Sequence, residues 1–371
     1  MISVGVVGLG KMGISHLSMI NAHPDVNVAG VCDTSGYQLS VLGKYTGLRT
    51  FGTMDEMLAE LELDAVVIST PSAYHADLVR AALSKGLHVF CEKPLCLDPA
   101  DSVELAALAK ERGLVTQVGY HNRFVGAFQE VKRLLDAGAI GTVTHVLAEA
   151  YGPVVLKPKG GTWRTQRTAG GGCLYDYAAH PLDLLTWYFG TPVGVGGTHL
   201  GTVFSRETDD EVASTVYYPD GLTAQLSVNW SDESQRKMTT KITAWGTRGR
   251  IYADRQEVQV YLRDGEETPE GYTSGWNVRY TTELTEPVWF YVRGEEYSAQ
   301  LDAFVRRVAA GQAEGENTFE SAAVTDALIA AMVQDHELGP RTLLSTVQAA
   351  PARPATARRP RSGLRRFIPT R

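Results

Sequence analysis

Short apolar segments alternate with helix-like segments over the first 120 residues of the chain. The apolar segments are rich in β-branched residues and lie at 3–7, 26–32, 65–69, 88–91 and 115–118. The segments between them, such as 73–85 and 99–112, have a helical period and are each followed by glycine, as is common where helices end. This alternation predicts a doubly wound α/β domain over residues 1–120, with a parallel sheet covered by helices on both faces.

The pattern changes beyond residue 120. A helix is predicted over residues 128–136, and strand-like segments follow at 143–151, 212–218, 222–230, 238–245 and 257–262. Two of the connections are turn sequences, Pro-Asp-Gly at 219–221 and Gly-Thr-Arg-Gly at 246–249. Neighbouring strands joined by tight turns predict a largely antiparallel sheet. With two late helices at 298–311 and 321–336, these elements predict a second domain over residues 121–340.

Composition is that of a soluble globular protein. The 371 residues are 44% hydrophobic and 21% charged, which is enough to bury a sizeable core and favours two domains. No segment approaches the roughly 20 apolar residues that span a bilayer, and the first strand lacks the features of a signal peptide. We therefore expect a cytoplasmic protein. The four cysteines, Cys32, Cys91, Cys96 and Cys173, lack metal or redox spacing and are expected to be free, mostly buried thiols.

Positive charge is concentrated at the end of the chain. Seven of the 35 basic residues lie beyond residue 350, where there is no acidic residue, so 28 basic residues face 42 acidic ones over residues 1–350, a formal charge of −14. Such an acidic body does not favour nucleic-acid binding. Residues 341–371 are predicted to be a disordered basic tail. Two alternatives stay open: the tail binds to the acidic surface of residues 1–350, or it contacts an anionic partner or membrane surface.

A glycine motif directly follows the first strand and opens a helix. It reads Gly8-Leu9-Gly10-Lys11-Met12-Gly13, and Asp33 closes the next strand. This arrangement predicts a dinucleotide site, because the glycines let the backbone approach a pyrophosphate at the helix N-terminus. Asp33 can accept hydrogen bonds from ribose hydroxyls and would repel a 2′-phosphate, which predicts NAD rather than NADP. Lys11 either contacts a phosphate or is a solvated side chain.

Two further motifs carry candidate chemistry. Glu92-Lys93-Pro94 follows the strand at 88–91, at the strand end where doubly wound sheets bind ligands. Three glycines at 170–172 precede Asp176 and His180, which lie four residues apart on one face of a predicted helix. A histidine suits the general base that takes a hydroxyl proton, and a lysine ammonium stabilises charge on the oxygen. Asp176 either orients the histidine or binds a neighbouring hydroxyl.

With these motifs the chain resembles the Gfo/Idh/MocA family, the group of glucose–fructose oxidoreductase and inositol dehydrogenase. The resemblance spans roughly residues 1–340 and also rests on Thr70-Pro71 with His75 and on Asn122-Arg123. It implies a Rossmann domain followed by an α/β domain with an open sheet, often used to form homo-oligomers such as dimers or tetramers. It also implies an NAD-dependent enzyme that transfers a hydride at a secondary hydroxyl or ketone of a sugar, cyclitol or nucleotide sugar.

The motifs and the resemblance together select the candidate site residues. The catalytic candidates are Lys93, Asp176 and His180. The cofactor candidates are Gly8, Gly10, Lys11, Met12, Gly13, Asp33, Thr70, Pro71, His75, Glu92, Lys93 and Asn122. The substrate candidates are Lys93, Arg123, Trp163, Arg164, Tyr175, Asp176 and His180. No metal is expected, because His75, His121 and His145 have no spacing typical of a metal site.

Several alternatives remain open from sequence. Lys93 has a second interpretation as a surface turn residue, Asp176 as a helix cap and His180 as a core histidine. Two alternative functions also remain open. A redox-neutral enzyme that uses tightly bound NAD transiently would need the same residues, whereas a catalytically silent NAD-binding regulator would not. Substrate specificity is expected in the loops around 157–168 and 272–293. The first loop has a basic stretch, formed by Lys157, Lys159, Arg164 and Arg167, that either binds a phosphate or carboxylate or is solvated.

Overall fold

A computed structural model describes residues 1–154, 163–265 and 267–339, and it confirms the α/β fold. The first sheet contains β1 (Ile2–Val7), β2 (Val26–Cys32), β3 (Arg49–Phe51), β4 (Ala65–Ile68), β5 (His88–Cys91) and β6 (Thr116–Val118). All neighbouring strands are parallel, in the order β3-β2-β1-β4-β5-β6. The strand order changes direction between β1 and β4, so a ligand crevice is expected at the carboxyl ends of these strands.

Five helices connect these strands, and local sequence explains where they begin. They are α1 (Lys11–Asn21), α2 (Gly36–Thr46), α3 (Met54–Glu60), α4 (His75–Ser84) and α5 (Pro99–Glu111). Thr53 caps α3 in a reciprocal pair with Glu56, and Asp98 caps α5 just before a proline in its first turn. Helix α1 differs, because its N-cap is Gly10 and no described side chain caps it. Its first N–H groups therefore stay available to an anion.

The second sheet has eight strands and is antiparallel except for one pair. The strands are β7 (Val143–Tyr151), β8 (Gly194–Gly201), β9 (Glu211–Tyr217), β10 (Thr223–Asn229), β11 (Thr239–Gly246), β12 (Gly249–Ala253), β13 (Glu257–Leu262) and β14 (Gly275–Tyr280). Their order is β14-β13-β12-β11-β7-β10-β9-β8, with β7 and β10 parallel. Helices α6 (Gly126–Asp136) and α7 (Ala179–Phe189) pack on one face. The other face stays partly open and carries Trp245, Tyr261 and Trp276.

The last helices join the two sheets into one body. After the short α8 (Thr281–Leu284), α9 (Glu295–Ala310) returns to the first sheet, where Leu301 and Phe304 share a buried core with Val4 and Val6. Helix α10 (Phe319–Leu338) contacts α5, α7 and β8. The core of the first sheet therefore includes residues from well beyond position 120.

The strands β3, β8, β12 and β14 were not predicted. Strand β8 contains four glycines, and β14 is an edge strand with three exposed positions, so neither shows a clear apolar pattern. All four cysteines are free and buried, as expected. No helix within the described residues is long and apolar enough to cross a membrane. The expectations for Lys157, Lys159 and the basic tail at 341–371 concern residues outside the described ranges.

Candidate active site

One large cleft lies at the carboxyl ends of β5 and β6, between the first sheet, the turn before α7 and the start of α9. Its volume is about 1090 Å³. Eight described side chains that line it are basic and five are acidic, a net charge of +3. The basic ones are Lys11, Lys93, Arg164, Arg236, Lys237, Lys241, Arg255 and Arg293, and the acidic ones are Glu92, Asp176, Asp254, Glu295 and Glu296. The cleft is therefore positive although the chain as a whole is acidic.

The glycine loop forms the cofactor side of this cleft. Gly8 has a φ of +89°, and a Cβ there would lie 2.8 Å from the carbonyl of Ser69. A Cβ on Gly13 would lie 1.8 Å from the oxygen of Gly8, whereas a Cβ on Gly10 would meet nothing within 4 Å. The first and third glycines therefore pack β1, β4 and α1 closely, and the second leaves open space beside the helix N-terminus. A pyrophosphate fits this arrangement.

Asp33 lies at the end of β2 and holds the same loop. One carboxylate oxygen accepts the N–H of Leu9 at 2.5 Å, and the other accepts the N–H of Ser35 at 2.7 Å. The side chain is half-buried. Each oxygen can accept a second hydrogen bond, so the carboxylate can still bind ribose hydroxyls.

Three buried polar atoms near the strand ends have no hydrogen-bond partner among the described residues. They are Ser69 Oγ, Thr70 Oγ1 and Asn122 Oδ1. Ser69 and Thr70 follow β4 directly beside Gly8, and the Asn122 amide donates weakly to Thr240 at 3.4 Å. A buried polar atom without a partner costs about 1–3 kcal/mol, so a ligand with donors and acceptors would stabilise this region. The residues present therefore fit a bound dinucleotide.

Glu92 connects the cofactor helix to the loop that carries Lys93. Its carboxylate lies 2.6 Å from Nε2 of the buried His16 in α1 and accepts the N–H of Lys93 at 3.2 Å. Burial alone would raise the pKa of Glu92, but the hydrogen bond from His16 and nearby positive charge hold it below the ordinary range. The ionised carboxylate thus fixes the Lys93 backbone relative to α1.

Lys93 and Asp176 form a buried ion pair in the cleft. Lys93 Nζ donates to Asp176 Oδ1 and to the Asp176 carbonyl, both at 2.8 Å, and Arg164 Nε donates to Asp176 Oδ2 at 2.8 Å. Burial alone would raise the pKa of Asp176, but the Lys93 and Arg164 cations hold it well below its usual range. Both carboxylate oxygens thus accept from cations, and no hydrogen bond joins Asp176 to His180 among the described residues.

The turn before α7 explains how Asp176 reaches Lys93. Residues Leu174–Ala178 form a π-helical turn, and Pro181, five residues after Asp176, has no N–H to give to the Asp176 carbonyl. That carbonyl accepts from Lys93 instead. Gly172 precedes the turn with a φ of +117°, and a Cβ there would lie 2.4 Å from the Asp209 carboxylate. The glycine motif thus allows the close approach that places Asp176.

His180 lies in α7 and lines the same cleft. Its side chain is buried, and Nδ1 has no hydrogen-bond partner within the described ranges. The ring centre lies 4.8 Å from that of His121, which stacks on Tyr297 of α9 at 4.4 Å. Burial, followed by the charge of Lys93, lowers the pKa of His180 well below that of an ordinary histidine, and Asp176 opposes the shift. His180 is therefore neutral at neutral pH and can accept a proton.

Two buried side chains, His75 and Asp326, hold the loop after β5 that carries Lys93. One ring nitrogen of His75 lies 2.8 Å from the carbonyl oxygen of Pro94, and the other lies 3.0 Å from that of Thr70. Asp326 of α10 accepts the N–H of Cys96 at 3.1 Å, and burial raises its pKa to about 7. His75 therefore connects the loops after β4 and β5, and it does not line the cleft.

Three substrate candidates also lie elsewhere. The Arg123 guanidinium is buried and donates to both oxygens of Asp183, at 2.6 and 3.0 Å, because a buried cation needs an anionic partner. Tyr175 packs against the hydrophobic core, and the neighbouring Tyr177 lines the cleft instead. Trp163 lies under the Arg164 guanidinium, 4.7 Å from its carbon, so only Arg164 of this pair reaches the cleft.

The structure adds cleft residues that were not among the site candidates chosen from the sequence. They are His121, Tyr177, Arg255, Arg293 and Tyr297. Arg255 pairs with Glu296 at the start of α9, and the Arg293 guanidinium lies over the Tyr297 ring. His121 lies next to Asn122 in a motif already selected, and Arg293 is at the end of the 272–293 loop in which substrate specificity was expected. The residues beyond 250 come from turns and helix starts that carry no motif.

Known proteins share both halves of this chain. A profile of an oxidoreductase family with an NAD-binding Rossmann fold matches residues 2–120, and a profile of the GFO/IDH/MocA C-terminal domain matches residues 128–252. The 2,7-anhydro-N-acetylneuraminate hydratase of Escherichia coli (strain K12) is 28% identical over 278 residues, which is 72% of each chain.

Solved structures agree over nearly the whole length. GenD2 from gentamicin A biosynthesis, in complex with NAD, is 26% identical with a TM-score of 0.72, covering 91% of this chain and 94% of that one. Levoglucosan dehydrogenase, in complex with NADH and L-sorbose, has a TM-score of 0.81 at 20% identity, covering 92% and 98%, which shows the shared fold. The chain therefore belongs to the Gfo/Idh/MocA family of NAD-binding oxidoreductases.

Proposed function

We propose that this enzyme transfers a hydride between NAD and a secondary hydroxyl or ketone of a sugar, cyclitol or nucleotide sugar. One observation carries the proposal: Lys93, Asp176 and His180 line the same cleft as Lys11 and Met12 at the start of the cofactor helix. Bound NAD would supply or accept the hydride at its nicotinamide ring. The sugar-like substrate follows from relatives, since levoglucosan dehydrogenase is solved with L-sorbose.

His180 is the proposed general base. It is neutral at neutral pH, because burial and the Lys93 charge disfavour its protonated form. In the oxidising direction it takes the proton of the substrate hydroxyl, and in the reducing direction it returns a proton to the carbonyl oxygen. The low pKa also means that the protonated ring gives its proton up readily.

Lys93 is the proposed partner of the substrate oxygen. Its ammonium is held at 2.8 Å by two oxygens of Asp176, which leaves a third N–H for the ligand. In that position the cation stabilises negative charge that develops on the oxygen as the hydroxyl proton leaves. Asp176 acts by keeping this ammonium in place.

A substrate screen tests the proposal. Cyclitols, aldoses and nucleotide sugars are incubated with NAD and with NADP, and NADH absorbance is followed together with product formation. The wild-type enzyme is expected to turn over at least one class with NAD, and His180→Ala is expected to turn it over slower by roughly 10² or more. His199→Ala, which changes an exposed histidine of β8, is the matched control. Activity in His180→Ala equal to the control would overturn the assignment.

A second candidate is a redox-neutral reaction in which NAD is reduced and reoxidised within one turnover. The observation that favours it is the relative named a hydratase. The same screen separates the two candidates. If product forms without net production of NADH, and without NAD added in excess of the enzyme, the reaction is redox-neutral.

We also propose that the enzyme works in the cytoplasm as a homo-oligomer. The four free thiols suit a reducing compartment. The open face of the second sheet, with Trp245, Tyr261 and Trp276, is the surface we assign to subunit contact. Light scattering would show a dimer or tetramer, and Trp276→Arg at this face should shift the enzyme towards the monomer.

A further inference from the structure

Arg293 reaches the cofactor helix from the other side of the cleft. It lies in the segment before α9, and its Nη1 donates to Ser15 Oγ of α1 at 3.4 Å. Ser15 Oγ in turn donates to the carbonyl of Lys11 at 2.9 Å. Arg293 is therefore two hydrogen bonds from the first residue of α1, where the glycine loop leaves space for a pyrophosphate.

The charge of Arg293 is available to a ligand. Arg164 and Arg255 also line the cleft, but they are paired with Asp176 and Glu296. No carboxylate pairs with Arg293 within the part of the chain that the structure describes. Its neighbours are the hydroxyl of Ser15 and the ring of Tyr297, 5.2 Å from the guanidinium carbon, and neither is an anion. A guanidinium has five N–H donors, so several remain for phosphate oxygens.

The position of Arg293 is fixed by the residues that follow it. Gly294 has a φ of +155°, and a Cβ there would lie 2.4 Å from the carboxylate of Glu296. Glu296 is buried and pairs with Arg255, and Tyr297 stacks on His121. The guanidinium is thus held over a ring that is itself packed, so little side-chain entropy remains to be lost when an anion binds.

We propose that Arg293 binds a phosphate group at this end of the cleft, together with Lys11 and the N-terminus of α1. The net charge of +3 in the cleft supports an anionic ligand at this place. Two sources offer the same chemistry, the pyrophosphate of NAD and a phosphate on a nucleotide-sugar substrate. The contact with Ser15 favours the cofactor. The inference rests on NAD binding and does not depend on the substrate proposed above.

The test measures binding rather than turnover. Dissociation constants of NADH, ADP-ribose and UDP are measured by fluorescence or calorimetry at low and moderate salt for wild-type enzyme and Arg293→Gln. Loss of a charge-assisted contact to phosphate should raise the Kd of NADH and ADP-ribose about 10-fold and make their salt dependence shallower. Arg293→Lys should recover part of the affinity, because it keeps the charge without the planar fork.

Arg306→Gln is the matched control, because Arg306 lies on α9, is 78% exposed and pairs with Asp302 away from this cleft. Thermal unfolding checks that each variant folds. If Arg293→Gln does not fold, Arg293→Met, which keeps the stem against Tyr297, replaces it with the same expected values.

The outcomes separate the two sources of phosphate. A rise in Kd for NADH and ADP-ribose assigns Arg293 to the cofactor. A rise for UDP alone, with NADH within two-fold of wild type, assigns it to a substrate phosphate. If all three ligands bind the variant within two-fold of wild type while the control is also unchanged, Arg293 binds no phosphate and the inference is overturned.

Discussion

Replacing Asp176 by asparagine tests the ion pair at the centre of the site. The change keeps the shape of the side chain but leaves Lys93 and Arg164 without their shared anion. Removing one partner of a buried pair costs about 3–5 kcal/mol. Because the Lys93 side chain opens onto the cleft and Arg164 is 43% exposed, water replaces part of the lost interaction. We therefore expect a loss of about 2–3 kcal/mol in the free energy of unfolding at neutral pH.

The pH dependence of this loss gives a sharper test. Although burial opposes them, Lys93 and Arg164 hold the pKa of Asp176 below its value in the unfolded chain. The stability that Asp176 contributes is therefore present above the unfolded carboxyl pKa, near 4, and is lost as pH falls through the folded pKa. The difference between wild type and Asp176→Asn should be constant around neutral pH and shrink only in acid.

Urea unfolding at one protein concentration, followed by tryptophan fluorescence, measures this difference over a pH series. Asp136→Asn is the control, because Asp136 pairs with Lys132 on the helix surface and should cost no more than about 0.5 kcal/mol. A loss at Asp176 no larger than that of the control, or a difference that grows as pH falls, would refute the reasoning.

Four further predictions follow from the site. Because Asp33 would repel a 2′-phosphate, NAD should bind at least ~10-fold tighter than NADP by calorimetry, a difference of at least ~1.4 kcal/mol; equal affinities would contradict this. His180→Ala and Lys93→Ala should each lower kcat by roughly 10² or more, with the Kd of NADH within a few-fold of wild type. Since the pKa of His180 is lowered by burial and by Lys93, kcat/KM for oxidation should stay level through neutral pH and fall only below the ordinary histidine range, near 6.5; an inflection above that value would count against His180 as the base. Arg123→Met should cost about 3–5 kcal/mol by leaving Asp183 buried and unpaired, while the folded variant binds NADH normally.

Local sequence was enough to predict the main elements of the first sheet. The segments at β2 and β5 were predicted with the bounds that the structure has, because buried parallel strands appear as short, nearly continuous apolar runs. Strand β3 has three residues and only one of them is buried, so it offers no such run. In the second sheet, β7 and β13 were found, whereas the glycine-rich β8 was not.

The residues of the candidate site fall into two similar groups: those that lie in local motifs, and those that depend on contacts between distant segments. Lys93, Asp176 and His180 lie in motifs with fixed spacing, and all three line the same cleft. The parts that depend on contacts between distant segments were not predicted. Arg123 was expected at the substrate, but its partner Asp183 is 60 residues away. Tyr297 packs on His121 from 176 residues away, a distance over which periodicity and spacing predict nothing.

The return of α9 to the first sheet has a consequence for the growing chain. Side chains of β1 and β2, such as Val4 and Val28, share this core with Leu301 and Phe304 of α9. One side of the core therefore stays uncovered until α9 has been synthesised. At about 5–20 residues per second, the 190 residues between the end of the first-sheet segment and the end of α9 take about 10–40 s to be made. During that interval the nascent nucleotide-binding half exposes an apolar surface, and chaperones that hold such surfaces have time to engage it. A fragment that stops at residue 120 should for the same reason aggregate rather than fold.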